Sequence, residues 1–228
     1  MADDENRGNT EDELRRRAEE SFNIRVTRYR RGDYSKEWNS FENTIHQRVS
    51  GSERNQANCL FNSGNALREL GDSRGALERY ERALVLFRGV SGSERDQAKC
   101  LHNSGIALGE LGDSRDALEH YERALTLYRG FPGSERNQAD CLNNSGVALG
   151  ELGDWRGALE RYEQVLTLLE GVSGSECDQA KCLSNSGNAL RELGDSRGAL
   201  EHYERALTLF QGVSGSECDQ AKCLSNSG

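Results

Sequence analysis

The feature that most constrains this chain is that it copies itself every 41 residues. Units begin at Gly51, Gly92, Gly133, Gly174 and Gly215, and each opens with Gly-Ser-Glu. The unit from Gly92 matches the unit from Gly174 at 32 of 41 positions, and Gly215 to Gly228 repeats Gly174 to Gly187 without a change. A repeat of this length is one supersecondary element that cannot bury its apolar face alone. Copies must therefore stack, each against its neighbours.

Inside a unit the apolar spacing is helical. Ala98, Leu101, Gly105, Leu108 and Leu111 follow i, i+3, i+7, i+10 and i+13, one face of a helix. Ser93 is placed to cap its start with Asp96 closing a capping box, and Gly112 supplies the left-handed residue that ends it. Asp113 caps a second helix bearing Ala117, Leu118, Tyr121, Ala124, Leu125 and Tyr128, and Gly130 ends that one. Each unit reads as a helical hairpin, so well over half of residues 51–228 are expected to be helical, with no strand. Gly105 recurs as Gly64, Gly146 and Gly187 inside the first helix, where glycine costs about 1 kcal/mol relative to alanine. That position is expected to need close helix approach, with small Ala117 and Ala124 facing it.

Composition agrees with a thin array. Hydrophobic residues are 35% and charged residues 29% of 228, too little apolar mass for one thick core. The formal charge of −9 argues against duplex nucleic acid, whose phosphates need a clustered basic surface. No apolar run reaches the ~18 residues a membrane span needs, and the acidic start MADDENRGNTEDE does not resemble a secretory signal. Seven cysteines without an export signal point to a reducing compartment, where all seven are expected as free thiols. The expected location is cytoplasmic.

Leu101, Gly105, Ala107, Gly112-Asp113, Ala117, Tyr121 and Ala124 stand at the spacings of the tetratricopeptide repeat, and the chain resembles that family. The period exceeds the usual ~34 residues by lengthening the first helix, as in repeats of the kinesin light-chain type. The resemblance implies an all-α fold, a right-handed superhelical solenoid of antiparallel helix hairpins. Two departures stand out. Ser63, Ser104, Ser145 and Ser186 take the place of leucine before the glycine, and Arg88, Arg129, Glu170 and Gln211 take that of the closing proline.

The organisation expected from these signals is a disordered acidic tail at 1–9, a degenerate capping hairpin at 10–50, four units at 51–91, 92–132, 133–173 and 174–214, and a truncated unit at 215–228. The hairpin at 10–50 keeps Gly32-Asp33 at its turn but has Arg25 where glycine is expected. The chain stops inside a first helix, which leaves Leu207 and Phe210 short of cover. An uncovered apolar end invites end-to-end self-association.

Chemistry is sparse. Cys59, Cys100, Cys141, Cys182 and Cys223 occur one per unit, a spacing that puts them on successive helices and does not converge on a metal. His46, His102, His120 and His202 form no two-histidine metal motif and no nucleophile pair. Gly89 to Ser93 looks like a phosphate loop but lacks Gly-Lys-Ser/Thr and follows no strand. No enzyme, cofactor or metal is expected.

One constellation remains. The first helix carries a stripe at i, i+4, i+7 and i+11 beside its apolar face. It reads Asn58-Asn62-Asn65-Glu69, Lys99-Asn103-Ile106-Glu110, Asp140-Asn144-Val147-Glu151 and Lys181-Asn185-Asn188-Glu192, then Lys222 and Asn226. The resemblance implies that this stripe lines a concave groove, with Asn62, Asn103, Asn144, Asn185 and Asn226 as a ladder that clamps a peptide backbone. Lys99, Lys181 and Lys222 would favour acidic side chains, Asp140 a basic one, and Phe61, Ile106 and Val147 apolar ones, with Asn65, Asn188 and His102 completing the lining. Asparagine also suits that helix position without any ligand. The two-carboxylate clamp of chaperone-tail binders is only half present: Lys99/Asn103 and Lys181/Asn185 match part of it, but Phe61, His102, Asn143 and Ser184 replace its further lysine. The expected function is a non-catalytic adaptor holding an extended segment of a protein partner, with neither nucleic acid nor membrane as ligand. The alternative is a fragment of a larger signalling or sensor protein, in which the array regulates or oligomerises an effector domain.

Overall fold

The computed structural model describes residues 53–212. The tail at 1–9, the hairpin at 10–50 and the unit at 215–228 lie outside them, as do Cys218, Lys222, Cys223 and Asn226. The described residues form eight helices and no strand: α1 (Glu53–Glu69), α2 (Ser73–Arg88), α3 (Glu94–Glu110), α4 (Ser114–Tyr128), α5 (Glu135–Glu151), α6 (Trp155–Leu169), α7 (Glu176–Glu192) and α8 (Ser196–Gln211). They fall into two compact units, one reaching Leu111 and the other starting at Gly112. In the first, α1 packs on α2 and both touch α3. In the second, each helix from α4 to α8 packs on the next, and α5 also touches α7.

The turns inside the hairpins follow the sequence reading. Gly71, Gly112, Gly153 and Gly194 take φ of 83°, 85°, 82° and 85°, the left-handed region that costs glycine nothing. The next residue is an aspartate at the N-cap. Asp72, Asp154 and Asp195 each accept the backbone N–H three residues on, from Gly75, Gly157 and Gly198, at 2.9 Å. Asp113 occupies the same position without a side-chain cap bond. The cause is local. A Cβ on Gly75, Gly157 or Gly198 would collide with the capping carboxylate. The second repeat has Asp116 there, which adds both the carbon and a like charge.

The turns between repeats correct the expected serine cap. Ser93 sits at an N-cap but caps nothing with its side chain. Its hydroxyl instead donates backwards to the carbonyl of Phe87. Ser134 and Ser175 do the same to Tyr128 and Leu169, at 2.6 and 3.1 Å. These serines are at most 1% exposed, and the end of the preceding helix leaves carbonyls without partners in that buried corner. The hydroxyl oxygens in turn accept from Gln97, Gln138 and Gln179, at 3.0, 2.9 and 2.8 Å. Asp96, the expected box partner, takes Arg54 at 3.0 Å. Gly130 follows the Arg129 C-cap, where the second helix was expected to end. The left-handed residues of these loops include Gly92, Gly133 and Gly174, with φ of 70°, 76° and 73°.

Close approach inside the hairpin is real, but its partner is larger than expected. A Cβ on Gly64, Gly146 or Gly187 would lie 2.5, 2.5 or 2.6 Å from the ring of Tyr80, Tyr162 or Tyr203. The glycine thus makes room for an aromatic ring of the following helix, where small alanines were expected opposite it. These tyrosines are 0–4% exposed. Tyr80 and Tyr203 also donate their hydroxyls to Asn65 and Asn188, at 2.8 and 2.7 Å. Around them lie Ala57, Leu60, Ala66 and Leu67 from the first helix, Ala76 and Ala83 from the second, and their repeats. Cys59, Cys100, Cys141 and Cys182 join this core at 0–3% exposure. Burial pushes the thiols of Cys141 and Cys182 up to about 12 and that of Cys100 higher still, so these sulfurs are not nucleophiles at neutral pH.

Two glycine-to-alanine changes separate steric need from helix propensity. Gly146→Ala should destabilise the protein by about 1–3 kcal/mol, because the buried Tyr162 ring cannot yield. Gly109→Ala, where a Cβ meets nothing within 4 Å, should stabilise it by up to about 1 kcal/mol. Chemical denaturation of both variants checks the pair, and a shift of the same sign in both would refute the account.

Candidate ligand-binding stripe

The stripe residues lie on α1 and α3 in the first compact unit and on α5 and α7 in the second. Their side chains are half-buried or exposed along each helix, beside the buried Leu-Gly-Ala face. In the first unit, Asn103 on α3 donates its amide to the Asn65 carbonyl on α1 at 2.9 Å, the same oxygen that accepts Tyr80. In the second, Asn185 on α7 donates to Asn143 on α5 at 3.0 Å. The partners differ for a simple reason: the α5 counterpart of Asn65 is Val147, which cannot accept. Asn62 and Asn144 make no side-chain hydrogen bond with the described residues. The ladder therefore contains two kinds of asparagine. Asn103 and Asn185 hold the neighbouring helix through the amide and keep the carbonyl oxygen open, while Asn62 and Asn144 keep both groups.

The rest of the stripe is unequal too. Lys99 reaches back to Asp96 at 3.3 Å, whereas Lys181 is exposed and has no salt bridge within the described residues. Desolvation and then Asp178 raise the carboxyl pKa of Asp140, against the pull of Lys181 and Arg136. Phe61 is committed to packing, its ring tilted 50° on Tyr80 with centroids 5.7 Å apart. His102 is half-buried beside Arg68, and burial followed by that positive charge pushes its pKa down to about 4. It is neutral at pH 7.

Several ties were not foreseen from the sequence. Ser73 donates to Glu110 at 2.5 Å and Ser114 to Glu151 at 2.5 Å, so the acidic ends of the α3 and α5 stripes are held by the serine that opens α2 or α4. Arg68 adds a 3.2 Å bond to Glu110. Arg54 spans from the first turn of α1 to the carbonyls of Ser91 and Gly92, at 3.3 and 3.1 Å, and Arg136 reaches Ser173 at 2.7 Å. Trp155 was also overlooked. The signal was present, since it breaks a column otherwise filled by Ser73, Ser114 and Ser196.

A family model described as tetratricopeptide repeat matches residues 56–130, 96–171 and 137–212. The chain belongs to the tetratricopeptide repeat family. That fold is typically non-catalytic, and proteins built from it are generally interaction scaffolds. Among solved structures, BtubC (BKLC) from P. vanneervenii superposes with a TM-score of 0.76 at 19% identity, over 91% of this chain and 89% of that one. A Podosopora anserina putative kinesin light chain of nearly identical TPR-like repeats gives 0.71 at 16% identity, over 88% and 98%. The apo form of RapI gives 0.76 at 16% identity, over 86% of this chain but 54% of RapI. At such identities the likeness concerns the tetratricopeptide fold alone. A search of curated proteins finds no match to this chain. No helix among the described residues is long and apolar enough to cross a membrane.

The state of His102 gives a pH test. Its folded pKa lies below the ordinary 6.5, so unfolding takes up a proton and stability falls as pH drops from about 6.5 toward about 4. His102→Asn, the residue at the equivalent position 143, should flatten that part of the acid limb. Thermal melts of both proteins across this range check it; parallel curves would show that His102 does not titrate as described.

Proposed function

We propose that this tetratricopeptide array is a non-catalytic adaptor that holds an extended segment of a partner protein against its asparagine stripe. One observation carries the reading: among the described residues, Asn62 and Asn144 present half-buried carboxamides with both groups unspent, in the same column where Asn103 and Asn185 keep a carbonyl open. A carboxamide can give to and take from one peptide unit at once. Bonding to the main chain provides affinity with little sequence preference, and the neighbours on each helix then select side chains. Lys181 favours an acidic residue and Val147, 40% exposed, an apolar one. Successive packed helices sit about 8–10 Å apart, close to the ~10 Å spanned by three residues of extended chain. One asparagine can then serve about every third residue of the ligand.

The test must separate ligand binding from helix bridging, because Asn185 does both. Partners are recovered with the intact chain, and the titration is repeated with Asn144→Ala/Asn185→Ala and, separately, Asn143→Ala. Losing two hydrogen bonds at ~1 kcal/mol each should weaken binding by about tenfold or more. Asn143→Ala breaks the same helix bridge from the other side and should leave affinity nearly unchanged. Equal losses in both, or none in the double variant, would assign the ladder to structure alone.

A further inference from the structure

In the second compact unit, α5, α6 and α7 enclose an open cleft of about 630 Å³. Its walls include Val147, Trp155, Asn185 and Arg191, with the carboxylates of Glu151 and Glu192 at its rim. Trp155 is the first residue of α6, at the position where α2 and α4 begin with Ser73 and Ser114. Its indole lies on the bare backbone of Gly150, where a Cβ would come 2.5 Å from the ring. Indole and glycine thus form a matched pair: any larger residue at 150 would push the ring away.

The replacement of serine by tryptophan has an electrostatic result. Glu110 and Glu151 each accept a serine hydroxyl from the preceding hairpin. Glu192 is their repeat equivalent, and the residue in the serving position is Trp155, which makes no hydrogen bond to it among the described residues. Within the described residues Glu192 keeps one ion pair, with the adjacent Arg191 at 3.7 Å, and both side chains are about half exposed. The change therefore frees a carboxylate and places an aromatic face in the same cleft. The wider field has the same sign. Residues 112–212 hold seventeen acidic and ten basic side chains, whereas residues 53–111 hold eight of each.

We propose that this cleft is a subsite for a lysine or arginine side chain of the bound segment, with the cation against the Trp155 indole and paired with Glu192. The proposal rests on the peptide-binding reading above and adds a side-chain preference to it. A flat aromatic face attracts a cation through its ring quadrupole, and a carboxylate held only by a long, half-exposed ion pair with its sequence neighbour adds direct charge pairing. Val147, which is exposed, accommodates the aliphatic stem of a long basic residue, as such stems commonly lie on apolar surface. Asn185, on the same wall, is placed to bond the main chain that carries it.

The experiment uses the full chain and three acetylated, amidated pentapeptides, Ala-Ala-Xaa-Ala-Ala, with arginine, norleucine or glutamate at the centre. The readout is the nuclear magnetic resonance signal of the Trp155 indole N–H, assigned by its loss in Trp155→Phe. The arginine peptide should saturate the shift at about fivefold lower concentration than the norleucine peptide, and added salt should erode the difference. Glu192→Gln, a change at an exposed position, should abolish the arginine preference while leaving norleucine binding as it was. An arginine peptide no better than norleucine, a preference for glutamate, or a preference that survives Glu192→Gln would overturn the subsite and leave peptide binding standing. Silence of the indole toward all three peptides would overturn the subsite and count against the peptide-binding reading as well.

Discussion

Three of the hairpins depend on a helix backbone meeting a tyrosine ring with no side chain between them. The rings of Tyr80, Tyr162 and Tyr203 occupy the space that a Cβ on Gly64, Gly146 or Gly187 would need. Helix propensity opposes glycine at such a site by about 1 kcal/mol, so the packing of a buried aromatic must outweigh it. The contact also sets the stripe, because Tyr80 and Tyr203 pass beneath the helix and end on Asn65 and Asn188. Core and candidate binding surface are thereby joined through one side chain, and a stripe amide cannot move without disturbing a buried ring.

Much of this was legible before any coordinates. The 41-residue period gave the hairpins, and Gly-Asp gave their turns, because left-handed backbone and N-cap acceptance are demands that few residue types satisfy. What was not legible was the direction of short polar side chains. Ser93 at a helix start has two local options, forward to its own helix or back to the one before, and burial of the Phe87 carbonyl decides between them. Asp113 differs from Asp72 through a residue three positions away. The asparagine ladder was visible as a column, yet the partner that a bridging member takes depends on whether the residue opposite is Asn65 or Val147. Trp155 belongs to no shared pattern, since the other repeats have serine at its position. In a chain of near copies, the departures carry the specific chemistry.

The same reasoning separates the two compact units as candidate surfaces. The first has balanced charge, Phe61 absorbed into packing, and Lys99 turned back to Asp96. The second carries the acidic surplus, an exposed valine on its stripe, a stripe lysine with no salt bridge among the described residues, and the only tryptophan among those residues. In the proposed adaptor, selectivity would rest on such local differences, because a carboxamide that bonds main chain is indifferent to sequence.

The ties between repeats have a further consequence for how the chain reaches its folded state. Arg54 to Asp96, Ser73 to Glu110, Asn103 to Asn65, Ser114 to Glu151, Arg136 to Ser173 and Asn185 to Asn143 all join residues 37 to 42 positions apart. Closing a loop of that size costs about 3 kcal/mol in chain entropy. The same closure is met at each successive repeat and grows no larger with the length of the array. Contact order is thus fixed by the repeat and not by the chain. The kinetic barrier to adding one more hairpin should be independent of how many are already in place.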